Sequence, residues 1–410
     1  MTTRRDDGLP AIVLAAPVRT PIGKFGGALA SLSAADLGTA AARACLARAR
    51  GAGGEALDPA AVDLTIFGHA RQAGGGPNTA RQVGHRAGVP VERPAFTVNQ
   101  ACGSGLQAVF SAARHLLLGE AEVALVGGTE SMSNTPYLLT GARWGQRLGH
   151  DRVVDGMSRD GFDDPLSGMA MGETAEELAD DRGIDRAASD AWALASQHRC
   201  QAARERGRFV REIVPVEVAG RRGTTRVERD EHPRDDVGPE QLARLRPVFR
   251  DGGRVTAGNA SGITDGAAAL LVATEEAAVR HGLEIAARLV DWQVVGVEPR
   301  IMGIGPVPAT RALLERQQLD LESIDRMELN EAFAPQVLAC LDDLPIDPER
   351  VNSDGGAIAL GHPIGCTGAR ILVTLLHGLA ERGEHRGVAT LCVSGGLGLA
   401  ALVERPDPVA

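Results

Sequence analysis

The chain has 410 residues, of which 44% are hydrophobic and 23% charged, with a formal net charge of −10. That length exceeds one ordinary core and argues for more than one domain. The proportions are those of a soluble globular protein, and the acidic balance argues against a nucleic-acid partner. An anionic ligand stays compatible where Arg side chains cluster, and since Lys24 is the only lysine, phosphate contacts must come from Arg, His or backbone N–H groups.

In chain order, Met1 to Pro10 is charged and has no apolar run, so it is not read as a secretory leader. A β-rich run, Ala95 to Val98, leads into Asn99-Gln100-Ala101-Cys102-Gly103-Ser104-Gly105, and a helical run from Leu106 to Leu118 leaves it. A strand from Glu122 to Val126 is expected next, closed by Gly127-Gly128. From Asn134 to Ala257 the pattern changes: Gly141 to Gly168 is rich in Arg, Asp and Gly, and Glu173 to Arg206 reads as helices, the second capped by Ser189. The apolar run Ala267 to Ala273 is too short to span a bilayer, so no membrane partner is expected. Glu328-Leu329-Asn330-Glu331 then sits where a strand gives way to a helix. Next come a Gly-rich loop holding His362 between Gly361 and Pro363, a helix from Gly368 to Leu379, and a strand from Val388 to Val393 that carries Cys392 before Ser394-Gly395-Gly396. The C-terminus, Arg405 to Ala410, is not a peroxisomal signal.

Cys102 is the most informative residue. A cysteine between a strand and a helix meets unpaired N–H groups at the helix start, which favour thiolate over thiol. Gly103 and Gly105 let a substrate approach the backbone. A lone cysteine is more often a packing residue, but His362 supplies a base, expected to be held by backbone contacts with one ring nitrogen free. Cys392 adds a second thiol and Asn330 an amide donor. The six cysteines show no Cys-x-x-Cys spacing, so a metal site or a disulfide framework is not expected and a reducing, cytoplasmic setting fits. The two halves echo each other: an Asn loop with Gly, a helix, then a strand, once around Asn99 and again around Asn352. Duplicated α/β halves would bring Cys102 and His362 to one seam.

At these motifs the chain resembles the thiolase family. Asn99-Gln100-Ala101-Cys102-Gly103-Ser104-Gly105-Leu106-Gln107 is similar to its nucleophile motif, Asn330-Glu331-Ala332-Phe333 to its Asn-Glu-Ala-Phe motif, and Gly361-His362-Pro363 to its Gly-His-Pro motif. Cys392 with the following glycines resembles its C-terminal Cys-Gly motif; Thr256 to Gly262 and Met302 to Pro306 add further likeness, and the resemblance runs from Ala11 to Glu404. It implies an α/β thiolase fold: two duplicated βαβαβαββ halves in a five-layer α/β/α/β/α core, with an inserted loop domain. The implied division is residues 10–133, completed by 258–286, for the first half, 134–257 for the insertion, and 287–406 for the second half.

The implied function is acetyl-CoA C-acetyltransferase, joining two acetyl-CoA to acetoacetyl-CoA plus CoA through acetyl-Cys102. His362 would take the proton of Cys102, and Cys392 would serve the α-carbon as acid and base. Two oxyanion holes are implied, one from His362 with a water held by Asn330, the other from the backbone N–H groups of Cys102 and Ser394. Ser261, Arg234, Phe249, Met171, Met302, Ala332 and Phe333 would contact CoA or its acyl chain. CoA thioesters are substrates, with no permanent cofactor and no metal. The Arg-containing segment 141–168 resembles the loop of the homotetrameric members. Glu331 is expected to be structural, and Cys45, Cys200, Cys340 and Cys366 to be packing residues. Ala170 stands where short-chain members carry His, and Pro77 where the family usually has Gln. A broad-range 3-ketoacyl-CoA thiolase is therefore the alternative enzyme. An inactive thiolase-like lipid-binding protein is disfavoured by the presence of all four catalytic-type residues.

Overall fold

The computed structural model describes residues 8–50, 54–221 and 223–406, so parts of the two terminal segments discussed above lie outside the described residues. The first half runs β1 (Ile12–Arg19), α1 (Ala34–Arg48), β2 (Leu64–Gly68), α2 (Thr79–Arg86), β3 (Ala95–Val98), α3 (Ser104–Leu117) and β4 (Val123–Ser131). An excursion follows that contains α4 (Met171–Arg182) and α5 (Arg186–Glu205), and β5 (Thr264–Thr274) then completes the half. The second half runs β6 (Ile285–Gly296), α6 (Pro306–Gln317), β7 (Arg326–Leu329), α7 (Ala334–Asp343), α8 (Ile364–Arg382), β8 (Arg386–Val393) and β9 (Leu397–Glu404).

The strand order is β7-β8-β9-β6-β1-β5-β4-β2-β3, with a short strand at Gly23–Lys24 pairing on β5. Each half has the same internal order. In the first half, β2 pairs in parallel with β3 and β4, and β5 and β1 follow antiparallel. In the second, β7 pairs in parallel with β8, and β9 and β6 follow antiparallel. The counterpart of β3 has shrunk to one parallel bridge between Met327 and Val351. The expected duplication is thus present in the pairing itself, and antiparallel pairing of β1 with β6 joins the two halves.

Three buried clusters give the layers. Leu37, Val83, Val13 and Leu271 pack α1 and α2 on the outer face of the first half. Leu106, Phe110, Leu372 and Leu375 of α3 and α8 pack between Leu14 and Ile66 of the first half and Leu391 and Val403 of the second. Leu313 and Val337 of α6 and α7 cover the outer face of the second half through Met327 and Leu402. The result is five layers, α/β/α/β/α. Residues 267–273, read as an apolar run, are the middle of β5, buried along its whole length as an interior strand must be. No helix among the described residues is long and apolar enough to cross a membrane.

Two local expectations are corrected. Gly127-Gly128 does not close the strand, because β4 runs through both to Ser131. A Cβ on Gly127 would overlap the Ala268 carbonyl, and one on Gly128 the Gly365 carbonyl. Gly128 permits close packing of β4 under the start of α8, and Gly127 makes room for the β5 backbone and Phe67; they are not turn residues. Ser189 does not cap α5. Asp185 does, its carboxylate accepting from the Ala188 N–H at 2.8 Å, while the Ser189 hydroxyl bonds back to the Asp185 carbonyl inside the first turn.

Candidate active site

Cys102 sits in a cross-braced loop between β3 and α3. Asn99 donates to the Ala70 carbonyl at 3.1 Å and accepts from the Ala101 N–H at 3.0 Å. Ser104 accepts from the Gln100 N–H at 2.9 Å and donates to the Ala101 carbonyl at 2.7 Å. This bracing holds Ala101 at φ 44°, a left-handed backbone that a non-glycine residue adopts only when its surroundings over-determine it. The turn aims Cys102 into a cavity of about 600 Å³.

His362, Cys392 and Ser394 line the same cavity. His362 lies two residues before α8, as Cys102 lies two residues before α3. Its backbone N–H donates to the Gly262 carbonyl at 3.1 Å. The ring is held by a hydroxyl and not by the backbone as expected: Nδ1 lies 2.6 Å from Thr367 Oγ1. Thr367 spends its own proton on the Pro363 carbonyl at 3.0 Å. With that proton on Pro363, the matching tautomer has Nδ1–H donating to the Thr367 oxygen and Nε2 unprotonated. Nε2 is buried with no partner. Burial, with Arg370 and Arg71 nearby, pushes the imidazole down to about 3, so it is a neutral base.

Cys102 departs from the expected thiolate. Burial raises its pKa, opposed by Arg71 and by the backbone N–H groups of Ser394 and Cys102 that reach its sulfur. Cys102 is half-buried as a residue, and a helix start returns only about 0.3–1 kcal/mol, less than the hydration its sulfur loses in the cavity, so the resting group is a thiol. Cys392, near the end of β8, is pushed well above its ordinary value by burial and by Cys102 and Cys340. Ser394 has no positive φ; the left-handed positions of this turn are Gly395 and Gly396, both at 84°. Serine can thus supply its backbone N–H without strain.

Asn330 follows β7 and is buried with neither amide atom partnered. It is not among the residues lining the cavity. Glu331 beside it is an anchor, as expected. Its carboxylate accepts from Trp192 Nε1 at 3.1 Å, Ser196 Oγ at 2.7 Å, Asn352 Nδ2 at 3.0 Å and the Ile358 N–H at 3.1 Å. These bonds tie the chain before His362 to α5.

The remaining predicted positions also line the cavity: Ser261, Met171, Met302, Ala332 and the exposed Arg234. Phe249 and Phe333 meet edge to face with centroids 6.1 Å apart. Ala170 lines it too and brings no polar group. Pro77 lies away from it, its carbonyl accepting from Gln82. Cys45, Cys200, Cys340 and Cys366 are buried and free; burial pushes the last three up to about 12. Among the described residues no group of His, Cys, Asp or Glu is arranged to hold a metal ion. Sequence reasoning missed Thr367, Arg71 and His232. Thr367 in the first turn of a helix that His362 precedes was the one readable signal.

Residues 12–276 match the thiolase N-terminal domain and residues 283–405 the thiolase C-terminal domain. The chain belongs to the thiolase family. It is 47% identical over 395 residues to the acetyl-CoA acetyltransferase of Pseudomonas aeruginosa, covering 96% of this chain and 99% of that one. The crystal structure of the Bacillus anthracis acetyl-CoA acetyltransferase superposes with a TM-score of 0.93 at 44% identity, covering 97% of this chain and 99% of the other. Human mitochondrial 3-ketoacyl-CoA thiolase in complex with CoA superposes at 0.92 with 41% identity, covering 97% and 98%.

Proposed function

We propose that this thiolase is an acetyl-CoA C-acetyltransferase, catalysing the reversible Claisen condensation of two acetyl-CoA to acetoacetyl-CoA and CoA. The observation that carries the reading is the pairing of a protonated thiol with an unprotonated, unpartnered imidazole nitrogen in one cavity with a second thiol. Cys102 passes its proton to His362 Nε2 as its sulfur bonds to the acetyl carbon. The backbone N–H groups of Cys102 and Ser394 face that sulfur and are placed for the oxyanion. The carbon–sulfur bond to CoA breaks, and the departing thiolate takes the proton of Cys392. Cys392, now a thiolate, removes the α-proton of the second acetyl-CoA, whose enolate oxygen is met by His362 and by a water on Asn330. The enolate carbon attacks acetyl-Cys102, and the leaving Cys102 sulfur recovers its proton from His362. Cys392 keeps the α-proton as its thiol, so Cys102, His362 and Cys392 are back in their starting protonation states and the cycle closes.

CoA thioesters are the substrates, contacted by Ser261, Arg234, Phe249, Met171, Met302, Ala332 and Phe333. The domain division drawn from the resemblance is kept, with residues 134–257 as a cover over the cavity. Trp144 and Leu148 in that cover are 85% and 101% exposed, which supports burial in a homotetramer. Six free thiols favour a cytoplasmic setting. Ala170 supports a second reading, a 3-ketoacyl-CoA thiolase of broader chain length, because a wall without a side-chain donor grips a short acyl chain less. Thiolysis rates on acetoacetyl-CoA and 3-oxodecanoyl-CoA decide between them. Faster turnover of the longer substrate would replace the first reading by the second, and no CoA-dependent cleavage of either would end both.

A further inference from the structure

Arg71 lines this cavity, and the proposed reaction does not use it. It follows β2, and its backbone N–H donates to Glu130 Oε1 at 3.1 Å. Its side chain is buried at 5% exposure, yet Nε and Nη2 have no hydrogen-bond partner. The guanidinium lies against Gly161, where a Cβ would overlap it, and over the ring of Phe162 at 5.6 Å. A ring face offsets only part of the cost of burying an unpaired cation.

The nearby carboxylates do not fill the need. Glu130 is committed to the N–H groups of Ala70, Arg71 and Gly365, and lies 3.2 Å from His69 Nε2. Asp163 is on the cavity wall but exposed, and it makes no ion pair with Arg71. Glu130 offsets the charge but leaves those N–H groups unpaired, and a planar guanidinium matches a ligand carboxylate with paired N–H donors.

The position says which part of the ligand brings that anion. Phe25, Val248 and Arg234 are exposed parts of the cavity lining, whereas Arg71 is buried and close enough for its charge to act on Cys102. A thioester with its carbonyl carbon at the Cys102 sulfur extends its CoA to the mouth and its acyl chain inward. Ala170 pairs with Asp163, the neighbour of Phe162, across a short two-stranded pairing, and all three line the cavity.

We propose that Arg71 is a specificity-determining residue forming a carboxylate subsite, so that the enzyme takes 3-oxoacyl-CoA thioesters whose acyl chain ends in a carboxylate. The inference rests on the thiolase reading and names a substrate class for that site. The test uses the whole enzyme and a matched six-carbon pair, 3-oxoadipyl-CoA and 3-oxohexanoyl-CoA, in thiolysis by the wild type, Arg71→Leu and Arg71→Lys. The wild type should favour the carboxylate-bearing chain in kcat/KM by about tenfold to hundredfold, the range of a charge-assisted hydrogen bond. Arg71→Leu should bring the ratio to near one or reverse it, and Arg71→Lys should keep part of it. Equal wild-type values, or an Arg71→Leu variant that slows both substrates alike, would overturn the subsite and leave Arg71 as support for the thiol. If Arg71→Leu fails to fold, the wild-type ratio and its reduction in Arg71→Lys still decide. A wild type that cleaves neither member of the pair nor acetoacetyl-CoA would instead overturn the thiolase reading.

Discussion

Cys102 and His362 occupy the same place in two copies of one fold: each lies two residues before the central helix of its half, α3 or α8. Their surroundings differ. Cys102 is aimed by backbone strain at Ala101 and braced by Asn99 and Ser104. His362 is aimed by a hydroxyl on its own helix, Thr367. Burial acts on the two groups in opposite directions, raising the thiol and lowering the imidazole, so both rest neutral. Duplication thus supplies a matched pair of sites, and a neutral donor and a neutral acceptor turn that symmetry into a proton-transfer pair.

The widest break in the comparison comes from Cys102→Ala. It should remove acetyl-enzyme altogether and slow turnover by on the order of 10⁴–10⁶-fold, as for loss of other covalent nucleophiles; acetyl incorporation and steady-state rate read it. Cys392→Ser should keep acylation and slow carbon–carbon bond formation by roughly 10²–10⁴-fold, the range of general acid–base catalysis, since a hydroxyl transfers that proton poorly. Condensation at near wild-type rate in that variant would remove Cys392 from the mechanism.

Thr367→Val tests what is special to the His362 side. It strands Nδ1–H in a buried site at a cost of about 1–3 kcal/mol, so acylation should slow by tenfold or more while KM holds, and Thr367→Ser should restore it. Glu331→Gln sets an amide among four donors and should destabilise the protein by about 1–3 kcal/mol in urea unfolding. A further effect is on acid stability. His362 titrates near 3 when folded and near 6.5 when unfolded. Between these values the unfolded chain binds more protons, so stability is present above 6.5 and falls as pH drops towards 3. His362→Asn should flatten that part of the stability–pH curve.

Much of this was legible in the chain because Gly-rich loops at helix starts and an Asn-loop echo are local patterns. Cys102, His362, Cys392 and the repeated strand order follow from them. What stayed hidden depends on packing across long sequence separations. Gly127-Gly128 reads as a turn until Phe67 and α8 are seen pressing on the two faces of β4. The Cys102 thiol reads as activated until its burial is known. Arg71 reads as one Arg among many until its partners are found missing. Thr367 lay in plain view, but its proton is assigned only once Pro363 is seen to take it.

The central claim is that Cys102 carries the acyl group while Cys392 moves protons. Brief incubation of Cys392→Ser with acetyl-CoA, acid quench and peptide mass mapping tests it most directly. One acetyl group on the peptide containing Cys102, with little acetoacetyl-CoA formed, is the predicted result. An unmodified Cys102 in folded protein, or an acetyl group found on another cysteine instead, would contradict the account.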